Sequence, residues 1–215
     1  MVREPSAIKE YEAVRDRMKT GDLIAFSGRI CISRVNQLVT QSPYSHVAMV
    51  LEVEMGGGFG KSVMIIESAA PQTDRDPTGR KAIKGVQVNW LSRRLDMYKG
   101  KAWWLPLNEP IPPDNLLKMQ MWLRQTYNER RPFATVQAAK AGLMLLNKLG
   151  LGNKLDLSAL FCSELITAAL QIAGVVDPYI NPSKQTPVDV VNFPCFAKPP
   201  ILIKPFPSRS KDEAD

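Results

Sequence analysis

Apolar and polar positions alternate with two different periods along this chain, and the change of period divides it into elements. Residues 8–18 read as a short surface helix that stops before Gly21. Gly21-Asp22 then opens the apolar run LIAF, a strand. Residues 31–39 carry Ile32, Val35, Leu38 and Val39 near helical spacing and predict a short helix ended by Ser42-Pro43. The run SHVAMVLEV alternates strictly, with His46, Ala48, Val50 and Glu52 on one face and Val47, Met49, Leu51 and Val53 on the other. A glycine-rich turn at Gly57, Gly58 and Gly60 leads to SVMIIESA, so these two strands are expected to pair antiparallel.

Residues 71–84 read as an exposed loop, followed by the strands GVQVNW and KAWWLP. After Pro112-Pro113 the period becomes helical, with Leu116, Met119, Leu123 and Tyr127 in one stripe. A second, very apolar helix is expected over residues 133–149, either buried over a groove or facing a membrane or partner. A third should begin near Phe161, end at Gly174 and lie centrally, because both of its sides are apolar. The remainder is broken by proline, with VDVV and ILIKP as strands and a flexible tail over residues 207–215. The expectation is one α+β domain over residues 1–215. An antiparallel sheet of five or six strands packs on a central helix, with a helical segment near 113–151.

Composition narrows the chemistry. The 28 basic and 21 acidic side chains give a formal charge of +7, which favours an anionic surface without selecting one. Between residues 74 and 101 stand eight basic and three acidic side chains, read as a solvated rim. Trp103 and Trp104 read as sheet packing, and no specific nucleic-acid signal is present. No uncharged apolar run reaches the 18 residues of a transmembrane span. The N-terminal residues show no signal-peptide core, so the default location is cytoplasmic, with later delivery to an envelope or virion left open. Cys31, Cys162 and Cys195 form no CxxC pair, and there is one histidine, so neither a multi-histidine metal site nor a structural zinc site is expected. The sequence calls for no metal and no organic cofactor.

Three residues stand out as candidate chemistry. Cys162 sits at the expected start of an apolar helix, in FCSELITAAL. There, unpaired amides would favour a thiolate, and the backbone N–H of Cys162 or Ser163 would receive an oxyanion. From the residues alone, the favoured reading is a small buried hydrophobe, as most cysteines are. His46 is the only residue able to supply imidazole chemistry, as base and then acid; otherwise it is a core or surface histidine. Glu67 lies inside the apolar run VMIIESAA, where a carboxylate needs a partner. Orienting the imidazole is one way to satisfy it and pairing with a lysine or arginine another; Glu52 and Asp22 are weaker candidates for that role.

GDLIAF, SPYSHVAMV, IIESAA and FCSELITAAL, in that order, resemble the permuted papain-like cysteine hydrolases of the NlpC superfamily, and most closely their YiiX/YaeF-like branch. In that group the histidine strand precedes the cysteine helix. The resemblance spans residues 20–105 and 155–175 and implies a circularly permuted papain-like fold. It places the nucleophile at Cys162, the base at His46 and the imidazole-orienting group at Glu67, with an architectural turn at Gly21-Asp22. The implied activity is cleavage of an amide or peptide bond through a thioester. The superfamily also implies peptide, cell-wall or lipid acyl substrates, with a lipid acyl hydrolase or acyltransferase as the alternative. An inactive papain-like scaffold on a membrane or in an assembly is the non-enzymatic alternative. RPFATVQ stands where some relatives carry a tyrosine-aspartate pair.

Overall fold

A computed structural model describes residues 8–28, 43–53, 62–129 and 158–206. The strands are β1 (Leu23–Ser27), β2 (His46–Val53), β3 (Ser62–Ala69), β4 (Gly85–Trp90), β5 (Lys101–Leu105) and β6 (Ile201–Lys204). They form one antiparallel sheet in the order β4-β3-β2-β1-β5-β6. The helices are α1 (Lys9–Glu12), α2 (Leu91–Met97), α3 (Pro113–Asn128), α4 (Ser158–Ile172) and α5 (Pro187–Val191). The fold is therefore a mixed α+β arrangement around an antiparallel sheet. The helix expected over 31–39, the glycine turn at 57–60, the apolar segment 133–149 with RPFATVQ, and the tail 207–215 lie outside the described residues.

Both faces of the sheet are covered, which is why β1 is buried along its whole length. Leu23, Ala25, Val47, Met49, Ile66 and Val88 face the longer helices and pack with Met119 and Leu123 of α3 and Leu165, Ile166 and Leu170 of α4. Ile24, Phe26, Ala48, Val50 and Ile65 face the other way, onto Leu91 and Leu95 of α2 and Tyr11 of α1. This split reproduces the alternation expected for β2. The third helix is central, as its two apolar sides require: Leu165, Ile166, Ala169 and Leu170 are all fully buried.

Three sequence expectations need correction, and one element is added. The N-terminal helix is broken into α1 and a 3₁₀ turn at Arg15–Arg17. LSRRLDM, between the two tryptophan-bearing strands and given no element by the sequence reading, is the helix α2. VDVV is not a strand: it lies in α5, where Thr186 and Asp189 form a reciprocal capping box and Pro187 stands at the first turn. Those start signals outweigh a β-branched run. Finally, α4 starts at Ser158, three residues before the expected position.

Gly21-Asp22 is architectural. Gly21 has φ +99°, and a Cβ there would meet Ile111 and Leu107 at 2.7 and 2.8 Å. The buried Asp22 carboxylate accepts hydrogen bonds from Trp104 Nε1 at 2.8 Å, the Leu107 amide at 3.0 Å and the Lys19 amide at 2.9 Å. It therefore ties the start of β1 to the end of β5 and is not available to orient the histidine. The side chain of Glu52, the other weak candidate, lies outside the described residues.

Candidate functional site around His46

β2 and β3 run antiparallel with Met49 opposite Ile66 and Val50 opposite Ile65, which brings the start of β2 beside the end of β3. His46 is the first residue of β2, and Glu67 lies on the same sheet face as Ile65. Their side chains meet: His46 Nε2 is 2.5 Å from Glu67 Oε2. Glu67 is fully buried, whereas the His46 side chain keeps 13% of its surface exposed. The carboxylate is thus sealed behind an imidazole whose edge reaches solvent.

The other carboxylate oxygen is also satisfied. Arg94 Nε donates to Oε1 at 2.9 Å and Asn89 Nδ2 donates to it at 2.8 Å. Asn89 belongs to β4 and is paired with Ile65, a diagonal neighbour of Glu67. Arg94 comes from α2, is 5% exposed, and lies 4.9 Å from the Phe26 ring and 5.1 Å from the Tyr98 ring. Those two ring faces receive the cation alongside its bond to Glu67. Ser45, the residue before His46, donates from Oγ to the Phe26 carbonyl at 3.3 Å. The imidazole is therefore fixed by its partner, by the neighbouring Phe26 ring 5.6 Å away, and by the turn that precedes it.

Cys162 approaches from the other layer. It is fully buried and belongs to the core between the sheet and the long helices, on the face opposite to the one from which Glu67 projects. His46 stands at the end of its strand, so its ring is at the sheet margin, where both layers are within reach. From that layer Cys162 acts electrostatically on the imidazole. The structure thus brings His46 and Glu67 into direct contact, and Cys162 influences the imidazole from the opposite layer.

Electrostatics follow from this arrangement. Burial would push the His46 pKa down, but Cys162 first and Glu67 next stabilise the imidazolium and raise it to about 9. Burial would likewise raise the Glu67 pKa; the Arg94 guanidinium and then His46 outweigh it and hold the carboxyl at about 2. Glu67 is consequently an anion throughout the physiological range.

The early start of α4 changes one expectation. Cys162 is the fifth residue of the helix, and in a regular α-helix its amide and that of Ser163 point at the carbonyls of Ser158 and Ala159. The unpaired amides of the helix start lie one turn before the sulfur. Sequence reasoning also misses Arg94 and Asn89. By sequence Arg94 falls among the solvated cations of residues 74–101, whereas it is the buried counter-ion of Glu67. Its signal is nonetheless present: Leu91, Arg94 and Leu95 fall on one helical face, and an acidic residue nearby in the fold needs a partner.

Among the described residues no group of three or more histidine, cysteine or acidic side chains is placed to hold a metal ion. Among them, too, no helix is long and apolar enough to cross a membrane. No protein-family model matches the chain, and no curated protein is significantly similar to it.

Proposed function

We propose that this protein is a cysteine-dependent acyl hydrolase of the permuted papain-like type, acting on an amide or peptide bond, with Cys162 as nucleophile, His46 as acid–base and Glu67 as its orienting anion. The observation that carries this reading is the position of the single histidine, bonded at Nε2 to a buried carboxylate; the electrostatic influence of Cys162 on that imidazole supports it. A third group that orients the base is what separates an activated nucleophile from an ordinary buried thiol. The order of the elements, histidine strand before cysteine helix, agrees with the resemblance in the sequence.

In the proposed reaction Glu67 occupies Nε2, which leaves Nδ1 to take the thiol proton. The sulfur attacks the acyl carbonyl carbon, an S–C bond forms and the carbonyl π pair moves to oxygen. Collapse of that adduct breaks the C–N bond as the imidazolium gives its proton to the departing amine. A histidine with a pKa of about 9 holds that proton at neutral pH. Water then attacks the thioester, its proton returns to His46, and the C–S bond breaks to release the acid. The amides of Cys162 and Ser163 are engaged within the helix, so the reading assigns the oxyanion to neither.

One observation favours a binding scaffold instead: Cys162 has no exposed surface. Treatment with an acyloxymethyl ketone, followed by peptide mapping, separates the two readings. The hydrolase reading expects modification of Cys162, lost in Cys162→Ser and slowed about 100-fold or more in His46→Asn. Turnover of peptide, cell-wall and phospholipid substrates should disappear in Cys162→Ser. Activity that survives unchanged in that variant removes the nucleophile assignment, and absence of both labelling and turnover favours the scaffold.

A further inference from the structure

A second feature lies away from His46 and Cys162. On the sheet face that carries the long helices, Leu51 of β2, Met64 and Ile66 of β3 and Val88 of β4 form a continuous aliphatic floor, with Leu123 of α3 beside it. Above this floor is a cavity of about 420 Å³. That lies within the range of small-ligand sites, about 300–1,000 Å³. Leu51 is five residues along β2 from His46, about 17 Å at the rise of a strand.

The wall of the cavity is held in place. Asp76 Oδ1 accepts the Thr78 and Arg80 amides at 2.9 and 3.1 Å, which folds the 71–84 loop on itself. Tyr127 of α3 donates to Asp76 Oδ2 at 2.5 Å, and Arg80 donates to Asn128 Oδ1 at 2.8 Å, so the loop is fastened to the last turns of the helix. The Arg80 guanidinium lies 5.1 Å over the Tyr127 ring. Arg124, one turn earlier, is exposed and has no hydrogen bond or ion pair among the described residues. The described lining contains these two arginines and no carboxylate. The nearby acid Asp76 already has both oxygens engaged.

The floor offers no hydrogen-bonding group, so a sugar or an extended peptide lying on it would lose its bonds to water without replacement. A ligand with an aliphatic tail and one negative head matches both parts. We propose that this cavity binds a medium-chain amphiphilic anion, its tail on the Leu51–Met64–Ile66–Val88 floor and its carboxylate or phosphate head between Arg80 and Arg124.

The test uses the full chain and isothermal titration with decanoate and decyl phosphate, each below its micelle concentration, against decanol and decyltrimethylammonium. Saturable one-to-one binding of at least one anion is expected, with the two anions distinguishing carboxylate from phosphate. Decanol should bind at least tenfold more weakly and the cation should not bind. Arg124→Glu, an exposed change whose fold is checked by thermal melting, should weaken the anion at least tenfold. Met64→Trp should block the tail, and Cys162→Ser should bind as the wild type does. No saturable binding to the wild-type chain, equal binding of the cation, or an Arg124→Glu protein that binds the anion unchanged would each overturn the proposal.

Discussion

At the scale of single residues, the Glu67 carboxylate explains most of the candidate site. A fully buried anion is tolerated here because both oxygens are bonded, to Arg94 and Asn89 on one side and His46 on the other. Removing one partner of such a pair is more costly than the pair itself is stabilising. Arg94→Met should therefore lose about 3–5 kcal/mol of unfolding free energy in urea titrations. It should also raise the Glu67 pKa, because the cation that most strongly lowers it is gone. Glu67 can be picked out from the sequence as an acid within an aliphatic run, and His46 from being the only imidazole. Arg94 cannot be picked out by charge alone, because one cation among many looks solvated until the adjacent helix is known. Burial is a property of the packed neighbour, and neither composition nor local charge density contains it.

Elements are legible where the apolar period is long and the pairing partners are close in sequence. β2 follows from strict alternation, and β3 from an apolar run joined to it by a glycine-rich connection. The VDVV segment shows the opposite case, because a short β-branched run has no period of its own and the Thr186–Asp189 cap decides its conformation. The pairing of β1 with β5 spans a long stretch of chain and rests on a contact that no local pattern announces. Gly100 precedes β5, and a Cβ at that position would lie 2.1 Å from the Ser27 carbonyl oxygen. Gly100→Ala must displace the backbone of one strand, so its melting temperature should fall steeply, with a loss above about 3 kcal/mol. Gly79 provides the contrast. Its φ is +82°, but nothing lies within 4 Å of the place a Cβ would take. Gly79→Ala should therefore cost only about 1–2 kcal/mol, from the left-handed backbone alone.

At the scale of the molecule, the site joins two layers that the chain builds far apart in sequence, and this coupling makes stability depend on pH in a defined window. Glu67 has a folded pKa of about 2 against 4.5 for the free group, so its contribution is complete above 4.5 and is lost as pH falls toward 2. His46 has a folded pKa of about 9 against 6.5, so its contribution is complete below 6.5 and is lost as pH rises through 9. Urea midpoints should accordingly be highest between about pH 4.5 and 6.5 and decline on both sides. Glu67→Gln should flatten the acid limb, and Cys162→Ser the alkaline one. A profile that rises steadily from pH 6.5 to 9 would contradict this assignment.

The proposed chemistry requires the Cys162 thiol to meet the imidazole at the sheet margin, and the single histidine makes that meeting directly observable. Proton NMR titration of the His46 Cε1–H signal should give a midpoint of about pH 9 in the wild-type protein and a clearly lower one in Cys162→Ser. A midpoint near 6.5 that does not move when the sulfur is replaced would show that the two side chains do not interact, and would contradict the account.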